Sequence, residues 1–448
     1  MAYLTVKKDI SFWPVSEEWS VIFSRSKGKS ICIPTEWKDT LLSKVCDLKN
    51  DFDDQTLQLF IDYGLLQTAN DNVDQNTEND IIQNRKLNTL SLVISEGCNF
   101  KCPHCIHAND IKSGATRTLN TYMSKDVVKS SVDKFFSHAK NINNHDIDVE
   151  FGAAEPLINW TAIEYTVNYI KDNYQNFNTT YHMTTNLVLV TDYQTKFFIE
   201  NNFKISTSLD GNKIANDAVR MDMKGHGTYD KIVQKIETMK KKGYGFDAVN
   251  LTLTKDNIKI LDVEQYLDTV QSMGMNGIGL DFDVVTSEDL SVDYVCERML
   301  KIYDSCKKRG LYCVGTWLHP AENMLNPDFQ EDNVFCKAVA GQNISVTPQG
   351  TLHMCNFTST HLGTLDKFDE YGVNLKNLID SREYFVKNHC EKCDLKSSCR
   401  GQCHTTLEVA PEIRHQKIEF MCNFYRKLTK EVVIRSFSEQ LKNAEATE

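Results

Sequence analysis

The sequence predicts an α/β protein built on a partial (β/α)6 TIM-like barrel, with a winged-helix-like domain before the barrel and a cysteine-rich domain after it. Three observations support this prediction. Six β-prone runs alternate with helical patterns between residues 87 and 318. A hairpin pattern and two amphipathic patterns lie before them, within residues 1–70. Seven of the fifteen cysteines follow residue 335, inside a third region that spans residues 319–448.

The N-terminal region has the pattern of a small winged-helix-like unit. Two β-prone runs between residues 21 and 33 flank a turn in which Gly28 can adopt a positive φ. Apolar residues then recur at helical spacing in two segments, 37–46 and 57–61. The polar stretch 71–86 offers little to bury, so we expect a linker there.

Six candidate strands predict the barrel, and the helical patterns between them predict parallel pairing. The strands are residues 90–94, 147–151, 181–185, 204–208, 248–252 and 277–282. One intervening helix is expected to begin after Ser124 and another to end near Gly243. Six units are fewer than the eight of a closed barrel, and functional residues are expected at the carboxyl ends of the strands.

Composition and charge limit the partners and the compartment. The formal net charge is -11, so the chain lacks the basic footprint that nucleic acids and anionic membranes require. The chain shows no signal-peptide pattern and no run of about eighteen apolar residues, and we expect a cytoplasmic protein without a membrane partner. Cytosolic thiols stay reduced, so metal binding explains the cysteine groups better than disulfides do.

The first cysteine group follows the first candidate strand directly. Cys98, Cys102 and Cys105 form a C-x3-C-x2-C pattern, which supplies three thiolates of the kind that hold iron–sulfur clusters. Three protein ligands on a four-iron cluster leave one iron open to another ligand. A structural zinc site is the alternative, with His104 or His107 as the fourth ligand.

In this run the chain resembles the radical S-adenosylmethionine (SAM) superfamily, and the resemblance covers about residue 87 to the C-terminus. It implies a catalytic [4Fe–4S] cluster whose open iron binds SAM, and cleavage of SAM to a 5′-deoxyadenosyl radical that abstracts a substrate hydrogen. The segment 151–156 resembles the family's glycine–glycine–glutamate–proline motif, with Ala153 and Ala154 where glycines are usual. Because alanine resists positive φ, we expect a local backbone that differs from the family's.

Further motifs complete the site that the resemblance implies. Thr185-Asn186 resembles a threonine–asparagine pair, although Leu187 replaces the usual glycine, and Ser208-Leu-Asp-Gly resembles the fourth-strand motif. Ser208 and Arg220 are then expected to bind the methionyl carboxylate of SAM, because a guanidinium suits a planar anion. An ordinary surface arginine is the alternative for Arg220. The implied SAM-binding set is His104, Ala153, Ala154, Glu155, Asn186, Ser208 and Arg220.

The C-terminal cysteines have a spacing that resembles the SPASM domain, which holds auxiliary clusters in peptide- and protein-modifying radical SAM enzymes. The resemblance implies two auxiliary [4Fe–4S] clusters. The distal one is assigned Cys390, Cys393, Cys399 and Cys422, and the one nearer the barrel is assigned Cys336, Cys355 and Cys403. The nearer cluster then either has an open site or is completed by Glu331, Asp332 or Cys313. Taken alone, the block from Cys390 to Cys403 also fits a zinc knuckle.

The N-terminal unit resembles the element that recognises leader peptides in maturases of ribosomally made peptides. Such an element binds the leader as an added strand. Residues 1–67 contain eight Lys plus Arg against ten Asp plus Glu, which argues against the alternative of a DNA-binding winged helix. A domain that only packs on the barrel is the remaining alternative.

These resemblances imply a maturase that binds a precursor peptide and cross-links its core, with carbon–carbon or ether bonds at aromatic or lysine side chains as in darobactin-type and other cyclophane-forming enzymes. A flavodoxin or ferredoxin is the expected electron donor. Thioether formation is the close rival, and sulfatase-type oxidation of a protein Cys or Ser and a non-catalytic metal-stabilised binding protein are more distant alternatives. Asp281 and Asp283, at the end of the sixth candidate strand, are the candidate proton acceptors.

Overall fold

The computed structural model describes residues 4–42, 48–68, 87–107, 121–283, 290–328, 335–408 and 411–446. The predicted linker at 71–86 lies outside the described residues, as do Glu331 and Asp332.

The N-terminal region forms two small antiparallel sheets and three helices. The strands are β1 (Leu4–Val6), β2 (Ile10–Pro14), β3 (Trp19–Ser24), β4 (Ser30–Pro34) and β5 (Leu66–Thr68). The helices are Trp37–Leu42, Leu48–Asp51 and Asp54–Asp62. The sheet order is β2-β3-β4, with a separate β1-β5 pair. The β3–β4 connection uses Gly28 at a φ of 76°, as the turn pattern predicts.

Strand β3 is buried on both faces, and this packing ties the N-terminal region to the rest of the chain. Val21 and Phe23 belong to the main hydrophobic core, whereas Ile22 faces a second core made by the N-terminal helices and strands. On β2, Ser11 Oγ donates to Asp394 Oδ1 at 2.8 Å. The N-terminal sheet therefore packs directly against both the barrel core and the cysteine-rich region.

Parallel strands form the barrel, and all six predicted strands are present. They are β6 (Thr89–Leu92), β7 (Asp146–Phe151), β8 (Asn178–Thr184), β9 (Lys204–Ser206), β10 (Ala248–Leu253) and β11 (Gly277–Phe282). Strand β12 (Tyr312–Val314) extends the sheet beyond β11, and β13 (Asn343–Val346) pairs in parallel with β6. A bridge between Ser208 and Asn250 links the β6–β9 segment to β10. The sequence prediction missed both added strands.

Helices cover the outside of the barrel and begin at well-defined caps. They are Lys125–Asn141, Trp160–Asn173, Asp192–Glu200, Lys213–Val219, Tyr229–Lys241, Val263–Ser272 and Val292–Lys308, with a short 3-10 turn at Pro156–Asn159. The Ser124 side chain accepts from Val127 N at 3.2 Å, and Gly243 adopts a φ of 93° after the fifth of these helices, as expected.

The C-terminal region combines a hairpin with helices. After a 3-10 turn at Thr316–Leu318 and the helix His319–Leu325, the hairpin β13–β14 (Thr351–His353) and the short β15 (Gly363–Thr364) extend the barrel sheet. The remaining elements are a 3-10 segment at Leu365–Glu370 and the helices Tyr371–His389, Lys396–Cys399, His404–Leu407 and Pro411–Glu445. Among the described residues, no helix is both long enough and apolar enough to span a bilayer.

Candidate radical SAM and auxiliary cluster sites

The first cysteine group lies in the loop after β6. Phe100 N donates to Cys98 Sγ at 3.4 Å, and Lys101 N donates to Met221 O at 2.8 Å, which holds the loop against the segment after β9. Burial raises the pKa of the Cys98 thiol to about 12 and that of Cys102 to about 11. Both thiols also feel the negative charge of Cys105, so the three sulfurs lie close enough to interact.

Glu155 is fully buried and stabilises this loop through hydrogen bonds. Its carboxylate accepts from Leu157 N at 3.0 Å, Thr185 Oγ1 at 2.7 Å and Asn186 N at 2.8 Å. Its own N–H donates to Gly97 O at 3.0 Å. Burial raises the pKa of Glu155 to about 7 against the opposing effect of these hydrogen bonds. Glu155 therefore joins the ends of β6, β7 and β8 through its backbone and its carboxyl group, and the carboxyl oxygens already accept hydrogen bonds from the protein.

Ala153 and Leu187, which stand where the family motifs usually have glycine, both have a backbone conformation that favours glycine. Ala153 has a φ of 67° and Leu187 a φ of 64°, both in the left-handed region. Ala153 thus adopts a positive φ even though alanine resists it. The steric cost at Ala153 is offset by contacts nearby in the same loop. Among them, the Glu155 carboxylate accepts a hydrogen bond from Asn186 N, at the end of β8.

A charged network lies on the other side of the first cysteine group. Arg220 Nε is 2.6 Å from Asp210 Oδ2, and this carboxylate is fully buried. His104 Nε2 lies 3.5 Å from the same oxygen, and burial lowers the pKa of His104. The Arg220 charge also acts on Cys102, and that of Asp283 acts on His104. Arg220 is thus a buried neighbour of the cysteines and not an ordinary surface arginine.

Both candidate proton acceptors occupy the end of β11, in different surroundings. Thr316 donates to Asp281 Oδ1 from its N–H at 3.1 Å and from its hydroxyl at 2.8 Å. Burial raises the pKa of Asp281. The buried Tyr425 hydrogen-bonds to Thr316 and feels the charges of Asp281 and Cys403. Asp281 therefore interacts with the C-terminal region, whereas the charge of Asp283 acts on His104.

The C-terminal cysteines separate into the two groups that the SPASM resemblance implies. In the distal group, the charges of Cys390, Cys393 and Cys422 all act on Cys399. Arg426 Nε donates to Cys393 Sγ at 3.4 Å, and Gln402 Nε2 donates to Cys422 Sγ at 3.7 Å.

In the nearer group, the charges of Cys336 and Cys403 act on Cys355, whose pKa burial raises to about 12. The buried Arg382 interacts electrostatically with Cys403 and Cys336, and its Nη2 donates to Gln402 O at 2.7 Å. A guanidinium beside these thiols favours their ionised form.

Cys313 does not join the nearer group. It lies on β12 and hydrogen-bonds to Cys306 of the helix Val292–Lys308, and both this contact and burial hold its pKa well above the usual value. The β11–β12 pairing fixes Cys313 beside Ile278, on the barrel wall. These contacts disfavour Cys313 as the ligand that completes the nearer cluster, and the other two suggested ligands lie outside the described residues.

A cavity of about 400 Å³ lies between the loop after β7 and the segment that contains Cys355. It is bounded on the barrel side by Ala153, Ala154 and His107 and on the C-terminal side by Cys355 and Asn356. A second cavity of about 560 Å³ occupies the barrel interior and also reaches Asn356. A Cβ at Gly152 would lie 2.5 Å from Asn356 Nδ2, so the loop after β7 packs directly on the residue that follows Cys355.

Several of these residues have no role in the sequence prediction. Asp210 lies inside the Ser208-Leu-Asp-Gly motif. Its position at the end of a predicted strand could have indicated a role in the site. Tyr425, Arg382 and Arg426 gave no local signal, because only tertiary packing brings them to the cysteines.

Comparison with known proteins identifies the family. The family model described as the radical SAM superfamily matches residues 92–269. The cysteine-type anaerobic sulfatase-maturating enzyme of one Clostridium perfringens strain is 30% identical over 371 residues, 75% of this chain and 95% of that protein. The chain belongs to the radical SAM superfamily.

Two further comparisons cover most of this radical SAM chain. The radical SAM cyclopropyl synthase TigE of Paramaledivibacter caminithermalis is 22% identical over 408 residues, 88% of this chain and 84% of that protein. The crystal structure of Streptococcus suis SuiB bound to precursor peptide SuiA superposes with a TM-score of 0.53 at 15% identity, over 90% of this chain and 96% of that chain. The structural match shows the fold, a partial parallel barrel followed by a cysteine-rich region.

The residues of this radical SAM site fit the groups that the family uses. Three interacting thiols suit a four-iron cluster with one open iron, and the buried His104 Nδ1 has no hydrogen-bond partner in the described residues, as expected beside a bound cofactor. No three or more His, Cys, Asp or Glu side chains of the described ranges are arranged to hold a single metal ion. A four-iron cluster is larger than one ion and needs its sulfurs further apart.

Proposed function

We propose that the protein is a peptide maturase that uses SAM-derived radical chemistry to cross-link a ribosomally made precursor peptide. The observation that carries this proposal is the 400 Å³ cavity between the loop after β7 and Cys355. It adjoins a SAM-motif loop on one side and a cysteine of the nearer auxiliary group on the other. A peptide side chain in this cavity lies beside both redox regions.

The proposal assigns three cysteine groups to three [4Fe–4S] clusters. Cys98, Cys102 and Cys105 hold the SAM-binding cluster. The distal auxiliary cluster takes Cys390, Cys393, Cys399 and Cys422, and the nearer one takes Cys336, Cys355 and Cys403. The grouping is supported by the mutual electrostatic effects within each set. Cys355 lines the cavity, so a cluster held by this group would lie beside the substrate space.

SAM on its cluster supplies the 5′-deoxyadenosyl radical, and the chain positions SAM and excludes water. We assign SAM contacts to His104, Ala153, Ala154, Asn186, Ser208 and Arg220. Arg220 carries five N–H donors, so its ion pair with Asp210 leaves donors for the methionyl carboxylate. Glu155 acts differently, because its oxygens already accept three hydrogen bonds and it positions Asn186.

One of the two carboxylates at the end of β11 is the proposed proton acceptor. The charge of Asp283 acts on His104, a proposed SAM contact, which favours Asp283 for a proton released at the substrate. The raised pKa of Asp281 makes it a stronger base than an ordinary aspartate, but its hydrogen bonds to Thr316 direct it towards the C-terminal region.

The N-terminal sheet is the proposed leader-binding element. Its edge strands β2 and β4 offer backbone groups to an added strand, which is how extended peptides bind such sheets. The close packing of Val21 and Phe23 on the main core places this sheet in one body with the barrel. Removing residues 1–67 would expose that core, so leaderless peptides test leader binding more cleanly than a truncated enzyme does.

The proposed function is tested with the reconstituted enzyme, SAM, dithionite and a candidate precursor. We expect 5′-deoxyadenosine and a product that has lost two hydrogens, with tandem mass spectrometry locating the link between residues other than cysteine. A link that consumes a cysteine thiol identifies thioether formation instead. A peptide product that carries an oxidised Cys or Ser without a cross-link supports the sulfatase-type reaction, which the 30% identical relative makes the second candidate.

Metal analysis tests the cluster assignment separately. Three clusters predict about twelve irons per chain, and the Cys98→Ala/Cys102→Ala/Cys105→Ala variant is expected to lose about four. Zinc in place of iron, together with no 5′-deoxyadenosine, indicates the non-catalytic metal-stabilised protein.

A further inference from the structure

A basic surface lies beside the distal cysteine group. We define the Arg426 patch as Lys396, Arg426, Lys427 and Lys430. The last three line a cavity of about 500 Å³ between the helix Pro411–Glu445 and the start of the helix Val292–Lys308. The whole chain has a net charge of -11, so a local cluster of four basic side chains is opposite in sign to the net charge of the protein.

Arg426 connects the surface to the cysteine sulfurs. Its side chain is exposed, yet its Nε donates to Cys393 Sγ at 3.4 Å and its Nη1 donates to Asn423 Oδ1 at 3.2 Å. Its charge also acts on Cys390 and Cys422. Because a guanidinium has five N–H donors, Arg426 can bind a carboxylate from a partner while it contacts Cys393.

The neighbouring charges leave the patch positive. Lys427 Nζ lies 2.5 Å from Asp293, which offsets one cation, and the charge of Glu419 acts on Cys422. Lys396 adds a positive charge next to Cys390. The charge of Glu431 also acts on Lys427, so four cations face three carboxylates around the sulfurs of the distal group.

We propose that the Arg426 patch is the docking site of an acidic one-electron carrier protein of the flavodoxin or ferredoxin kind. This inference rests on the proposed function, which assigns a cluster to the distal cysteines. A cluster held by the distal cysteines would exchange one electron with the docked carrier; in the direction from cluster to carrier, the oxidised carrier would gain the electron that the reduced cluster loses, with no bond formed or broken. Charge complementarity steers such partners together, and small, weak interfaces are typical of electron-transfer complexes.

Charge reversal on the patch tests this docking site in the reconstituted holoenzyme. The test variant is Lys427→Glu/Lys430→Glu, which alters no proposed cluster ligand. The matched control is Lys196→Glu/Lys376→Glu, since both control lysines are exposed and form i,i+4 ion pairs away from the patch. Biolayer interferometry measures the Kd for an immobilised acidic flavodoxin at about 50 mM and about 300 mM NaCl.

We expect the patch variant to weaken flavodoxin binding by about tenfold at low salt, and the control variant by less than about twofold. The difference should shrink at high salt because exposed charges are screened. Equal Kd values for the patch and control variants, or no binding by the wild type, overturn the docking proposal. Dithionite-driven 5′-deoxyadenosine formation needs no carrier and should be the same in all three proteins. Its absence in the wild type refutes the proposed function, whereas the Kd comparison still reports on docking.

Discussion

Replacing Ala153 with glycine tests whether the left-handed backbone after β7 is held against a steric cost. A non-glycine residue at a φ of 67° costs about 1–2 kcal/mol relative to the right-handed region. Glycine removes this cost but adds about 0.5–1 kcal/mol of unfolded-chain entropy. The lost methyl is only partly buried and contributes at most about 0.8 kcal/mol. The Ala153→Gly variant should therefore unfold with a free energy within about 1 kcal/mol of the wild type.

Leu187→Gly is the matched comparison, because it places glycine at the same kind of backbone position. Leu187 has a φ of 64°, but its side chain is 0% exposed. Truncating a buried leucine costs about 2–5 kcal/mol, which exceeds the relief of about 1–2 kcal/mol of backbone strain over most of this range. With the same glycine entropy cost of about 0.5–1 kcal/mol, we expect a net loss of about 0.5–5 kcal/mol, centred near about 3 kcal/mol.

Urea unfolding of the anaerobically reconstituted variants, followed by tryptophan fluorescence, measures these differences. Ala153→Val serves as the opposite control, since a β-branched residue at positive φ should lose more than about 1 kcal/mol. Equal losses for Ala153→Gly and Leu187→Gly, or a loss above about 2 kcal/mol for Ala153→Gly, would refute the reasoning.

Three further predictions concern the site. Because burial raises the pKa of Glu155 from 4.5 to about 7, its native state binds a proton more tightly than the unfolded chain does. Stability relative to Glu155→Gln should therefore rise by about 3 kcal/mol as the pH falls from above 7 to below 4.5, measured by urea unfolding of the apoprotein at several pH values. Cys355→Ser should lose iron by mass spectrometry while Cys313→Ser retains it; an iron loss in Cys313→Ser contradicts the separation of the two thiols. Arg220→Lys keeps the charge beside Asp210 but loses the planar fork, and calorimetry should show SAM binding weakened by about tenfold.

Local patterns predicted the barrel strands well because each strand is marked by its own β-prone run and turn signals. The Ser124 cap and the Gly28 turn were predicted for the same reason, since both depend on residues within one turn. Strand β13 was missed because its parallel pairing with β6 joins residues about 250 positions apart. No local pattern marks such a partner.

The candidate site was only partly predictable. Cysteine spacing implied which sulfurs meet, and the structure brings the same sets together. The backbone at Ala153 could not be predicted from side-chain preference, because tertiary contacts overrule a cost of about 1–2 kcal/mol. The Asp210–Arg220 ion pair and the Cys306–Cys313 contact depend on how loops and strands approach in three dimensions.

The parallel pairing of β6 with β13 has a consequence for synthesis on the ribosome. The first barrel strand emerges with one edge uncovered, and its final neighbour is translated about 250 residues later. At about 5–20 residues per second, the wait lasts roughly 13–50 seconds. During that interval the apolar edge at Leu90 and Leu92 is available to other nascent chains, so slower growth at low temperature with abundant chaperones favours the soluble protein.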